Sequence, residues 1–241
     1  MGDSMWTSEE MKQRAKDVLQ GKYWAILGVS ILGGVLQGAF FTLLMEIYDP
    51  QDGLVFLFGN YAIDMQALIR IWIVIMLVSW IYSVFVGHTI WIGLTKYYLE
   101  SADRIGTLST LFDFFKSSYW NVVKITFLYY LKIALWLLCF VVPGIIKIYE
   151  YRMVPFILAE NPDMNSSEVF KQSALLTQNN KWNIFVLELS FLGWILLGVL
   201  CCGIGVVFVT PYVDMTMTQL YLYLKEMHGL GKADLPPIPE S

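Results

Sequence analysis

Tyr23 to Met45 runs without one Asp, Glu, Lys or Arg, and Ile71 to Leu94 does the same. A helix needs about 20 consecutive apolar residues to cross a hydrocarbon layer about 30 Å thick. Runs of this length have no place in a water-soluble domain and commit the chain to a bilayer. The remaining composition agrees: 57% of the residues are apolar or aromatic and only 15% are charged, against about 25% in an ordinary soluble domain. Lipid offers the backbone no hydrogen-bond partners, so spanning elements are helices or closed barrels, and continuous rather than alternating apolarity selects helices. The expected fold is all-α and polytopic.

A short unit recurs three times: an amphipathic stretch, an aromatic anchor beside a polar or basic residue, then a hairpin of two apolar runs. The copies open with MKQRAKDVLQGKYW, LFDFFKSSYW and VFKQSALLTQNNKW. Each surface segment ends at a Trp, namely Trp24, Trp120 and Trp182, the interfacial position that Trp favours. The recurrence predicts six transmembrane helices near 23–45, 69–95, 121–142, 144–159, 182–200 and 203–224, grouped as three amphipathic-helix-plus-hairpin units. Residues 1–22 form a cytoplasmic amphipathic segment, 104–118 and 163–180 lie in the interface, and 225–241, ending in the Pro-rich LPPIPES, is a cytoplasmic tail. The polar first 22 residues and the lack of a small-residue cleavage site predict that the first apolar run is kept as a helix. Pro143 and Gly144 are the expected hairpin turn between the third and fourth helices.

Basic residues set orientation more than acidic ones do. Lys12, Arg14, Lys16 and Lys22 precede the first run, and the connection 46–67 has four acids and no Lys or Arg. The next connection carries Lys96, Arg104, Lys116 and Lys124. Both termini are therefore expected in the cytoplasm, and returning the chain at Pro143 keeps Lys171, Lys181, Lys225 and Lys232 on that same side. In the first amphipathic segment Thr7 and Glu10 have capping-box spacing, and Met11, Ala15, Val18 and Leu19 form a stripe expected opposite Lys12 and Lys16. Leu108, Leu111, Phe112 and Phe115 repeat the pattern, and Val169, Ser173 and Leu176 repeat it more weakly after the cap candidates Asn165 and Ser166. Such faces suit the headgroup plane, with the Lys side toward anionic lipid. Ser30, Gly34 and Gly38, four apart, read as a small-residue face for close helix packing, expected within the chain rather than between copies.

Ionisable side chains inside membrane helices are costly and worth locating. Counted inward from the helix ends, His88, Lys132, Glu150, Arg152, Glu188 and Asp214 all fall about 9 to 17 Å deep, a candidate polar layer. One reading is mutual salt bridges within a bundle; the other is a cavity open to the cytoplasm. Lys147, near the opposite helix end, is placed to pair with Glu150 or to snorkel. Cys139, Cys201 and Cys202 match no zinc spacing and read as packing residues. HExxH, GxSxG and Walker patterns are missing, so no catalytic residue, metal or cofactor is expected. Basic residues sit beside crossings, not in an aromatic-interleaved patch, so nucleic acid is not an expected partner.

PGIIKIYEYRMVPFILAENP, then SFLGWILL and GIGVVFVTPYVDMTMTQLYLYL, with RAKDVLQGKYW at the start, resemble a family of Gram-positive bacterial integral membrane proteins known as domain of unknown function 975. The resemblance covers most of the chain and implies a multi-pass protein of the bacterial plasma membrane without an established activity. The expected role is non-enzymatic: an accessory or organising factor acting on the lipid bilayer, anionic lipid included, or on a membrane-protein partner. The alternative is a small permease or lipid-binding carrier that uses the polar layer. Oligomeric state is left open.

Overall fold

The computed structural model describes residues 6–39, 65–200 and 203–230, and every regular element among them is helical. In chain order these are α1 (Ser8–Leu19) and α2 (Tyr23–Gly34), which runs into a π-helical turn Val35–Ala39. Then come α3 (Met65–Tyr82), a second π turn Ser83–Gly87 and α4 (His88–Asp103). A 3-10 turn Leu108–Phe112 and α5 (Asp113–Lys116) lead to α6 (Tyr119–Cys139), α7 (Val141–Glu150) and α8 (Val154–Glu160). The chain closes with α9 (Ser166–Leu176), α10 (Lys181–Leu200) and α11 (Ile204–Met227). The acidic connection before α3, Cys201, Cys202, Asp52 and the tail beyond 230 lie outside the described residues.

Among those residues, three stretches are long and apolar enough to cross a membrane: 69–103, α6 and α10. A fourth is present if α1 and α2, bent 99° from one another, count as one broken span. Their apolar side chains point outward. Leu77 and Trp80 of α3, Leu135 and Leu138 of α6, and Leu189 and Leu196 of α10 are all exposed. In water such faces would drive aggregation, whereas against lipid tails they cost nothing. The expected crossings 144–159 and 203–224 take another form. α11 has the length, but Met215, Leu220, Tyr221 and Leu224 in its second half are buried against protein. The stretch 144–159 is divided between α7 and α8 by a turn at 151–153.

The chain does fold back between α6 and α7, but not at the expected residues. Phe140 makes the break, with extended backbone (φ −155°, ψ 133°) between two helices. Pro143 lies in the first turn of α7, where its missing N–H has no helical acceptor to lose. Gly144 serves the packing that follows: a Cβ there would stand 2.9 Å from Leu137 Cα, so only glycine lets α7 lie this close on α6.

The apolar face of α1 is covered by protein and not by lipid, a correction to its interfacial reading. Met11, Ala15 and Leu19 are buried, chiefly against α11. Lys12 and Lys16 do not lie opposite that face either. Lys12 Nζ stands 5.1 Å over the Phe191 ring and Lys16 Nζ 5.9 Å over Tyr212, contacts worth about 0.5–2 kcal/mol each. Long alkyl stems let the two lysines flank a packed face that helical geometry alone assigns to apolar residues. Thr7 caps α1 by accepting from Glu10 N at 3.2 Å, while the Glu10 carboxylate takes Arg14 instead of completing a box. Trp6 closes this end, buried, with its indole N–H donating to Asn180 Oδ1 at 3.0 Å. Val169, Ser173 and Leu176 of α9 are also buried in protein. In the 3-10 turn and α5, Thr110, Leu111 and Phe114 go inward, while Leu108, Phe112 and Phe115 stay exposed.

The small-residue face of α2 is shifted from the expected one. Ser30 does pack, its Oγ 2.6 Å from the Tyr98 hydroxyl of α4. Gly33 is the next contact, where a Cβ would meet Leu94 at 3.1 Å; at Gly34 nothing lies within 4 Å. Gly38 has φ of 120°, a conformation that other residues rarely adopt, and so shapes the π turn.

Candidate functional site

The six polar residues expected at one depth divide into separate environments. Arg152, in the turn between α7 and α8, meets Glu188 of α10 with Nε 2.6 Å from Oε1. Two residues from Glu150 on the chain, it points to a different helix, which is why its acid comes from elsewhere. Asp214 of α11 makes no ion pair among the described residues. It lies beside Tyr98, with Arg152 the nearest cationic influence. Trp91, Thr95, Tyr98, Arg152, Phe156 and Asp214 line a small cavity of about 60 Å³. His88 is not part of it: the imidazole packs on Tyr130, centroids 4.6 Å apart.

Glu150 belongs to another site altogether. It accepts from Lys147 at 2.5 Å and from Lys181 at 2.8 Å. Lys181 is the first residue of α10, and Glu188 lies seven residues further along that helix, about 10 Å at 1.5 Å per residue. The Glu150 cluster therefore sits at the end of a candidate span and the Arg152 pair well inside it, so the expected common depth is replaced by two levels. Lys132 pairs with no carboxylate among the described residues. Its Nζ lies 3.6 Å over the Phe170 ring and 5.8 Å from that of Tyr151. The acid expected for it is replaced by aromatic faces, whose quadrupole attracts a cation without the desolvation cost of a second charge.

Two further ion pairs are not visible along the chain, where Lys96 and Lys225 read only as orientation signals: Lys96 donates to Asp113 at 2.8 Å, and Lys225 to Glu160. Glu160, at the end of α8, accepts from Lys225 at 2.5 Å and from Tyr221 at 2.8 Å, fastening α8 to the last turns of α11. Lys181 was likewise visible only as an orientation signal; nothing in linear spacing brings it to Glu150, thirty-one positions away. The three tryptophans expected as interfacial anchors are exposed, 75% for Trp24, 72% for Trp120 and 71% for Trp182. Among the described residues no three His, Cys, Asp or Glu side chains gather as a metal-binding group.

Outward-facing spans, internally paired charges and exposed Trp residues together define an all-α chain of the multi-pass membrane class. The chain belongs to the family described as protein of unknown function (DUF975), whose model matches residues 27–228. No curated protein and no solved structure matches it.

Proposed function

We propose that this chain is a non-enzymatic multi-pass protein of the bacterial plasma membrane, an accessory or organising factor that acts on lipid or on a membrane partner. In this reading it has six crossings, with both termini in the cytoplasm. The observation that carries it is that most of the interior charges, Lys132 and Asp214 apart, are spent on one another. Arg152 is engaged by Glu188, Glu150 by Lys147 and Lys181, and Glu160 by Lys225. The cavity between Arg152, Tyr98 and Asp214, about 60 Å³, is small beside ligand pockets of about 300 Å³ or more. The unengaged surface is apolar and aromatic. A protein so built works through its outside.

The Asp214 cavity supports a second reading, a small permease or carrier, because a carboxylate without a salt-bridge partner faces Arg152 and Tyr98 across it. Replacing Glu188 or Asp214 by its amide separates the two. Under the organising reading Glu188→Gln lowers thermal stability in detergent, since Arg152 loses its partner, and neither variant changes a solute or lipid flux in proteoliposomes. A flux abolished by Asp214→Asn at unchanged stability would make the carrier reading the leading one.

A further inference from the structure

Lys132, Lys147 and Lys181 come together from three different helices around a single acid, Glu150. Lys147 and Lys181 both reach its carboxylate, while Lys132 and Lys147 stand 5.8 and 5.5 Å from the ring of Tyr151, the next residue. Three ammonium groups against one carboxylate leave the cluster two positive charges in excess. Lys132 has aromatic company only, among the described residues. The Lys147 and Lys181 side chains are partly exposed, 26% and 32%.

The position of the cluster decides what fits it. Lys181 opens α10, so it lies with Lys147 and Glu150 where that candidate span ends, and the long stem of Lys132, thirteen residues after the start of α6, carries its ammonium group to the same Tyr151 ring as Lys147. Trp182 beside it is 71% exposed and packs on Phe185, centroids 5.2 Å apart. Trp136 under Lys147, and then Leu135 and Leu138, continue as bare apolar surface along α6. An excess of cations at the end of a candidate span, edged by Trp and continued by exposed hydrocarbon, is complementary to an anionic amphiphile. We infer that Lys132, Lys147 and Lys181 form a binding site for the phosphate of an anionic phospholipid, with its acyl chains along Leu135 and Leu138. This rests on the membrane reading of the chain but not on its organising role, and it goes beyond that role in naming the lipid class and the residues.

The test is native mass spectrometry of the full chain in detergent, titrated with phosphatidylglycerol, with phosphatidylcholine and with inorganic phosphate. Wild type is expected to retain phosphatidylglycerol in preference to phosphatidylcholine. Lys132→Gln, which breaks no ion pair, is expected to weaken it about fivefold, and Glu150→Gln, which removes the opposing charge, to strengthen it by a similar factor. Equal retention of the two lipids, or an unchanged affinity in Lys132→Gln, would overturn the site. Competition by inorganic phosphate at concentrations that leave the lipid in excess would overturn the lipid as its ligand. Failure of the wild-type chain to enter vesicles of either lipid would instead sink the membrane reading, a result distinguishable from loss of the site.

Discussion

Arg152 is the cation that faces both Glu188 and Asp214 in the interior. Glu188 and Arg152 are each about 30% exposed, with side-chain accessibilities of 28% and 32%. The cost of breaking them is thus less than the 3–5 kcal/mol of a fully buried pair. Arg152→Ala is expected to destabilise by about 1–3 kcal/mol, because Glu188 and Asp214 then share a region without a cation. The double change Arg152→Met with Glu188→Met is expected to recover most of that. Thermal denaturation of the single and double variants in one detergent checks it, and a double variant no better than Arg152→Ala would show that the pair holds its helices by something other than charge. Lys132→Met, which exchanges a cation–π contact for a thioether on the same rings, is expected to be within about 1 kcal/mol of wild type.

At the scale of elements, close approach is set by glycines that helical spacing does not single out. A Cβ at Gly93 would lie 2.3 Å from the Leu111 carbonyl oxygen, and one at Gly198 2.6 Å from the Val206 nitrogen. Both contacts are backbone, which cannot rotate away. Gly93→Ala is therefore expected to push the 3-10 turn off α4, exposing Leu111 and costing about 1–3 kcal/mol. Gly34→Ala, with open space before it, is expected to be neutral or to stabilise slightly through helix propensity. Thermal shifts of the two variants compare them directly. A loss at Gly34 equal to that at Gly93 would mean that α2 has a further neighbour, such as a second copy of the chain.

For the whole molecule the decisive quantity is which side each polar segment occupies. Asn165, the exposed cap of α9, is expected on the cytoplasmic side together with α1, in keeping with the positive flanks at Lys12, Lys16, Lys171 and Lys181. A single cysteine at Asn165, in a background without the three natural ones, is expected to resist a membrane-impermeant maleimide in intact cells and to react after lysis. Labelling in intact cells would remove the return passage through α7 and α8, and the three-unit organisation with it.

Local physics explains how much was legible along the chain. Hydrophobic length alone marks Ile71 to Leu94, α6 and α10 as membrane helices, since a bilayer judges each segment by its own composition. The Trp residues are read as interfacial anchors for the same reason, because an indole seeks the interface whatever its neighbours are. What only the tertiary structure decided are the partnerships. That Met11 and Ala15 face α11 rather than lipid is invisible to periodicity, because a protein core and a hydrocarbon layer present the same apolar demand. That Lys181 finds Glu150, Lys225 finds Glu160, and Lys132 finds Phe170 instead of a carboxylate depends on how helices distant in the chain are set side by side. Depth counted along a single helix assumes that helix runs straight, and the breaks at Phe140 and at 151–153 remove that assumption for the residues that bear the charge.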